Sequence, residues 1–252
     1  MAVELAVPSA RSRFAGGRRR LRSAARARPR LYALVRLIKY GPYLGLRRQE
    51  VRRRLLERGR REGWRMLNLG SGGRRIRGAW NLDVVPFTGP DLVGDGYRLP
   101  FREGTFDAIF CDYVIEHVHD PEAFLRAARR SLAPGGALYL QVPFLQPLHG
   151  EGRDYLRWTA AGFAEAAARA GLHVCESGVH MGPAFTLHWV AREFGATLLC
   201  LGSGRAFAVL RYLLGWLLAP LLLLDLLLLR LPQAEILANG FYFVLRPERE
   251  PA

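Results

Sequence analysis

From residue 66 onward, short apolar runs alternate with clusters of glycine, proline and acid. Met66 to Leu69 sets three apolar residues around Asn68 and reads as a short buried strand. It runs into Gly70-Ser71-Gly72-Gly73, a tight turn in which a ligand can approach bare backbone. Trp80 to Asp83 is a second strand, ending in a carboxylate; Asp91 to Gly96 follows, ahead of Leu99-Pro100-Phe101. Phe106 to Phe110 is a further strand, leading into Val114 to Val118. Residues 121–131 predict a helix with Pro121 in its first turn and Asp120 as N-cap. Leu132 to Gly136 closes that helix and opens the strand Ala137 to Val142. Thr159 caps another helix, Ala160 to Ala170, which Gly171 ends. Leu172 to Val179 and Gly240 to Leu245 complete the strands.

Other stretches break this rhythm. Leu31 to Leu46 mixes apolar residues with Arg36 and Lys39 and is broken at Gly41-Pro42. Gln49 to Arg61 predicts a strongly basic helix with Val51, Leu55 and Leu56 along one side. Phe207 to Leu229 is almost wholly apolar, and a bilayer span needs roughly 20 such residues. Arg211 and Asp225 would be costly in lipid, and Pro220 divides the run into halves too short to cross. If Gly240 to Leu245 belongs to the same sheet, the chain must also return to the side it left. The expectation is an apolar helical hairpin over 204–232, inserted before the last strand. It either lies in a membrane interface or packs against the domain or a second copy.

Charge sharpens that choice. The 252 residues carry a formal net charge of +15. Residues 1–65 hold 20 Arg or Lys against four Glu, so the rest of the chain is close to neutral. The expected organisation is a disordered basic arm over 1–30, a basic helical extension over 31–64, and one domain over 65–252. The arm also has the composition of a transit peptide; the first 30 residues contain no long apolar core, so no cleavable leader is expected. A basic surface beside an apolar one makes a two-signal anchor on anionic lipid. Nucleic acid is the weaker reading, since few aromatics in this region, Tyr32, Tyr40 and Tyr43 among them, could stack on bases. Cys111, Cys175 and Cys200 have neither metal spacing nor a disulfide pattern, which fits a reducing compartment.

The glycine turn is not that of a dinucleotide site. The third fingerprint position is Arg75, and seven residues between Gly73 and Asn81 leave no room for a crossover helix. In their order, the segments from about Arg65 to Val179 and from Asn239 to Arg246 resemble the S-adenosylmethionine-dependent methyltransferases of the Rossmann-like class, type 11 family. The resemblance implies an α/β fold whose sheet has seven strands, the last one antiparallel, and S-adenosyl-L-methionine as cofactor. It places Asn68, Gly70, Ser71 and Gly72 in the loop facing the methionine portion. It gives Asp83 the ribose hydroxyls, and Asp95 the adenine amino group, with the Gly96 amide nearby. Cys111, Asp112 and Tyr113 fall where family members place the transferred methyl. The plain alternatives are a strand-end turn acid for Asp83 and an Asp-Gly turn for Asp95.

For catalysis, Glu116 and His117 stand where family members begin a helix, and a structural and a catalytic role are both open. His149 lies in a segment, Pro147 to Thr159, resembling the family's His…Asp-Tyr-x-Arg-x-Thr. A histidine near its reference pKa can take a proton from a hydroxyl, which makes His149 the candidate general base. Alternatively His149, Asp154 and Arg157 form a polar network holding that loop over the cofactor. His173, His180 and His188 show no ligand spacing, and no metal is assigned.

Resemblance and apolar run together imply a membrane-associated methyltransferase, cytoplasmic and peripheral to the membrane. It would O-methylate a glycan, a lipid-linked sugar or a lipid. The alternatives are a small-molecule or quinone methyltransferase, an inactive scaffold of the same fold, and an RNA methyltransferase. The intact cofactor set speaks against the scaffold. Cys111-Asp112-Tyr113-Val114, which is not an amino-methylating Asn-Pro-Pro-Tyr-like motif, speaks against base methylation of RNA. A homodimer also fits.

Overall fold

A computed structural model describes residues 49–86, 89–149 and 153–248. The expected arm 1–30 and the stretch Leu31 to Leu46 lie outside the described residues. The apolar runs become β1 (Met66–Leu69), β2 (Trp80–Asp83), β3 (Leu92–Val93), β4 (Phe106–Asp112), β5 (Leu132–Pro143), β6 (Leu172–Met181) and β7 (Gly240–Pro247). They form one seven-stranded sheet in the order β3-β2-β1-β4-β5-β7-β6. Strands β1 to β5 pair in parallel. β7 slots antiparallel between β5 and β6, with Tyr242 opposite Gln141 on one side and Gly178 on the other. This is the expected sheet, with its last strand antiparallel.

Successive β4 residues face opposite sides, as strand geometry requires. Ile109 and Cys111 enter one core with Leu67, Leu69, Leu138, Leu140 and Phe243. Ala108 and Phe110 enter the other with Met66, Ala137, Tyr139 and Val244. The helices divide accordingly. α1 (Gln49–Arg61) covers the second core through Val51 and Leu56. α2 (Pro121–Ser131) and α3 (Ala160–Arg169) cover the first through Phe124, Leu125, Phe163 and Ala167. Each fully buried Leu or Phe among these contributes about 1.5–3 kcal/mol. The two expected N-caps form: Asp120 Oδ1 accepts from Ala123 N at 2.9 Å and Thr159 Oγ1 from Gly162 N at 3.0 Å.

α1 packs closely on the sheet. A Cβ on Gly59 would come within 2.7 Å of Met66 Sδ, so helix and first strand are in close contact. Arg52 donates to Asp112 at 2.9 Å and Arg54 to Glu176 at 2.6 Å, pinning the helix across the sheet. The domain's packing therefore begins before residue 65, because α1 is the layer that closes one face of the sheet.

The apolar insertion follows β6. It comprises α4 (Pro183–Leu199), α5 (Gly204–Leu217), a 3₁₀ segment (Ala219–Leu224) and the short α6 (Asp225–Leu228). α4 and α5 form the hairpin. His188 Nε2 of α4 donates to the carbonyl of Gly215 on α5 at 2.8 Å. A Cβ on Gly195 would meet Leu214 at 2.8 Å, so the helices approach closely there. The antiparallel partner of α5 is thus α4, whereas α5 and the segment after Pro220 meet at a bend of 46°. Among the described residues no single helix is long and apolar enough to cross a membrane; the bent pair has the length and composition.

Candidate active site

The sheet order reverses between β1 and β4: from β1 the chain builds outward to β2 and β3, then returns to lay β4 on the other side. In open α/β sheets ligands bind at the carboxyl ends of the strands at such a switch point. The Gly70 loop leaves β1 there, and Tyr113 to His117 leaves β4 beside it. The two loops touch. Gly70 has φ +71, and a Cβ on it would come within 2.3 Å of Val114 Cγ2. Glycine is needed there twice over, for backbone conformation and for space.

The glycine loop is tied to β2. Gly70 N and Ser71 N both donate to Leu82 O, at 2.9 and 3.0 Å. Gly72 N donates to Asp83 Oδ2 at 2.5 Å, and Val85 N to Asp83 Oδ1 at 2.8 Å. Each carboxylate oxygen has a further lone pair for a hydroxyl. Gly72, at φ +51, has no atom within 4 Å of where a Cβ would stand, so open space lies over it. Ser71 Oγ is buried without a hydrogen-bond partner. Bare backbone, an orphaned hydroxyl and an acid with spare acceptor capacity suit the polar methionine and ribose parts of S-adenosylmethionine, and these residues fit that group.

Other expected cofactor residues are placed differently. Asn68 Nδ2 donates to Arg74 O and to Asn81 Oδ1, both at 2.9 Å. It braces the loop from below and does not line the open space. Cys111 is turned into the core, where burial pushes its thiol well up from its ordinary pKa. Asp112 faces the opposite side and holds Arg52 of α1. Alternation along the strand separates the side chains of these two neighbours, both expected at the end of β4 where the transferred methyl stands. Asp95 Oδ1 accepts from Tyr97 N at 3.0 Å, the Asp-Gly turn weighed as its alternative. Gly96 lies under α2: a Cβ would come within 2.3 Å of Phe124 Cε2.

The sequence reading missed a brace. Asn81 Oδ1 accepts from Ile76 N at 2.7 Å, and its Nδ2 donates to Asp91 at 2.8 Å. Arg75 reaches Asp91 and the carbonyl of Gly89. The Asn81 side chain and then Arg75 hold the Asp91 carboxyl down to about 2. The available signal was a buried asparagine in mid-strand between apolar neighbours.

The candidate catalytic residues converge. A 3₁₀ turn, Ile115–His117, follows β4 and buries Glu116 completely. Neither carboxylate oxygen of Glu116 has a hydrogen-bond partner. His149, from the loop after β5, sets Nε2 3.7 Å from Glu116 Oε1; His117 Nε2 lies 3.8 Å from the same oxygen. The facing Glu116 carboxylate raises the His149 pKa, against burial, which lowers it. Asp154 and Arg157 hold the His149 loop: Asp154 Oδ2 accepts from His149 N at 3.2 Å and from Arg157 Nη2 at 2.7 Å. Burial alone would raise the Asp154 carboxyl, but Arg157 and His149 outweigh it and lower its pKa. Arg157 also donates to the carbonyls of Gln146 and Pro147 at 3.0 and 3.2 Å. The polar network and the catalytic cluster are therefore one assembly. Trp189 of α4 stands beside it, its ring 6.2 Å from that of His149.

Residues 79–140 match the family model described as "Methyltransferase domain". A demethylmenaquinone methyltransferase of Corynebacterium efficiens is 45% identical over 49 residues, covering 19% of this chain and 21% of that protein. A ubiquinone biosynthesis O-methyltransferase of Xanthomonas oryzae pv. oryzae is 54% identical over 41 residues, covering 16% of this chain and 17% of that protein. The matched segment thus spans about a fifth of these relatives' length. Two solved structures extend the likeness over most of the chain. One is a putative sarcosine dimethylglycine methyltransferase from Galdieria sulphuraria (TM-score 0.51, 14% identity, 86% of this chain and 97% of that one). The other is a complex of a methyltransferase activator with a putative methyltransferase from Haloferax volcanii (TM-score 0.51, 19% identity, 90% and 97%). At these identities the structures speak to the fold alone. Residues 79–140 thus match the methyltransferase domain model, and the sheet order and switch-point loops give the chain the Rossmann-like fold of methyltransferases.

Proposed function

We propose that the protein is an S-adenosylmethionine-dependent O-methyltransferase that works on the cytoplasmic face of a membrane, peripherally bound, on a lipid-linked sugar, glycan or lipid hydroxyl. The observation that carries this reading is the contact of two loops at the switch point: the glycine loop closed on Asp83, and the turn bearing Glu116 beside His149. S-adenosylmethionine, when bound, supplies a methyl on sulfonium sulfur that passes to the acceptor oxygen, the C–S electron pair staying on sulfur. The chain's own part is placement and proton management. Gly70 and Gly72 admit the ligand, Asp83 accepts from its hydroxyls, and the cluster at His149 faces the acceptor's departing proton.

The membrane part rests on the insertion. Phe194, Leu198, Leu201, Leu213, Leu217 and Leu227 are exposed, and an apolar patch of this kind on a monomer marks an interaction surface. The two charges that argue against lipid are satisfied internally. Asp225 Oδ1 and Oδ2 accept from Ala184 N and Phe185 N at 2.9 and 3.0 Å, and Arg211 lies 3.8 Å from Glu193. The excess of arginine in residues 1–65 supports an anionic lipid surface as the occupant, with a second copy of this chain as the competing one. A quinone acceptor is the second reading, favoured by the relatives whose names carry demethylmenaquinone and ubiquinone; such acceptors also reside in membranes.

The test is transfer of labelled methyl from S-adenosylmethionine into a membrane lipid extract by wild-type protein and Asp83→Ala, with calorimetric binding of S-adenosylhomocysteine alongside. Label entering a lipid-linked saccharide supports the first reading, and label in quinone precursors supports the second. Absence of cofactor binding by folded wild-type protein would sink both.

A further inference from the structure

The site contains a buried acid that nothing described in the chain neutralises by hydrogen bonding. Glu116 is 0% exposed, and both its oxygens lack hydrogen-bond partners. A carboxylate in that position demands a counter-charge at close range. Two imidazoles face it, yet at 3.7 and 3.8 Å neither is within hydrogen-bond reach. The distances suit a different arrangement. Two ligand atoms each about 2.1 Å from one tetrahedral ion stand about 3.4 Å apart, so each imidazole-to-carboxylate distance is a few tenths of an ångström longer than in a coordinated pair. The three donor atoms all lie within 4.8 Å of one another.

The far nitrogen of His117 gives a second, independent indication. His117 Nδ1 donates to the carbonyl of Arg153 at 2.7 Å, which leaves the Nε2 lone pair free to coordinate. His149 Nδ1 lies 3.4 Å from Asp154 Oδ2 and accepts from Arg157 Nη2 at 3.5 Å, while Asp154 Oδ2 holds the His149 backbone amide at 3.2 Å. A carbonyl partner behind a ligating imidazole, as at His117, is what orients histidines in metal sites.

We infer that Glu116 Oε1, His117 Nε2 and His149 Nε2 form a three-ligand site for a divalent first-row transition ion, zinc in the first instance. Two neutral imidazoles and one carboxylate are a donor set that such ions take, with a position left open. The open position would receive the acceptor's oxygen and favour its ionised form, its proton passing to solvent. That role rests on the methyltransferase reading; the site itself does not.

The experiment uses full-length protein stripped with a chelator, checked for folding by circular dichroism and titrated with Co²⁺, then with Zn²⁺. The expected result is one Co²⁺ per chain with visible d–d absorption, displaced by Zn²⁺. Glu116→Gln and His149→Ala should each weaken binding by well over tenfold, and Asp154→Asn by about tenfold through the orientation of His149. S-adenosylhomocysteine binding should stay unchanged in each. If His149→Ala does not fold, Glu116→Gln, which keeps the size and shape of the side chain, carries the comparison. Failure of the folded wild type to bind either ion, or equal binding by wild type and Glu116→Gln, would overturn the inference. Ion binding as expected in a protein that does not bind S-adenosylhomocysteine would uphold the metal site and remove the methyltransferase reading.

Discussion

Gly70 concentrates the demands of the site in one residue. Its backbone is left-handed, and a methyl there would drive into Val114, whose neighbours carry Glu116 and His117. Gly70→Ala should therefore cost about 1–3 kcal/mol in denaturant unfolding. Because the displaced loop is the one that lies over Asp83, cofactor affinity measured by calorimetry should fall in the same variant. Asp91 gives a prediction in pH. Its carboxyl is held near 2 by Asn81 and Arg75, below its ordinary value near 3.8. Such a group adds stability above that ordinary value, and the contribution is lost as pH falls toward about 2. Unfolding midpoints of wild type and Asp91→Asn should differ at neutral pH and converge near pH 2. The pair is partly exposed, so a small difference is expected.

Among elements, α4 depends on a residue from another segment. Gly182 supplies no side-chain cap to the helix; Asp225, at the start of α6, accepts from Ala184 N and Phe185 N instead. Burial raises the Asp225 pKa although these amides oppose it. Asp225→Ala should cost about 1–2 kcal/mol by loss of the cap, and Asn should retain part of it. Urea unfolding followed at Trp189 and Trp216, both in the insertion, would measure the difference. α1 is held similarly from a distance, by Arg52 on Asp112. The basic helix is the cover of the second core, because Val51 and Leu56, on the side its sequence marks as apolar, pack against that face of the sheet.

At the scale of the molecule, a near-neutral α/β domain carries an apolar, leucine-rich insertion and a strongly basic amino-terminal region. Full-length protein should float with anionic vesicles, and release on raising salt should be partial, since salt screens the arginine contribution but not the apolar one. The double variant Leu213→Glu and Leu217→Glu should abolish flotation and leave S-adenosylhomocysteine binding intact, as both side chains are exposed. Flotation unchanged in that variant, with a dimer by light scattering, would assign the face to a second copy.

Local order along the chain marked every strand but the two-residue Leu92–Val93, and the resemblance implied the seven-stranded sheet. The strands so marked are runs bounded by glycine, proline or acid, and the two expected caps, Asp120 and Thr159, are side chains within three residues of their amides. The glycine loop and Asp83 were legible for the same reason. Neighbours in sequence nonetheless part in space: Cys111 and Asp112 face opposite cores because side chains alternate along a strand. The reverse also holds, since Glu116 and His149, Asn81 and Asp91, and Asp225 and α4 meet only because the sheet order brings distant loops together. The helical hairpin pairs α4 with α5 because Gly195 and Gly215 let those two helices approach, a fit that hydropathy along the chain does not encode. Sequence alone therefore determined most of the elements, and its resemblance implied the ligand of the first loop. Tertiary structure decided which polar groups share a site, because contacts between distant segments are set by topology and packing.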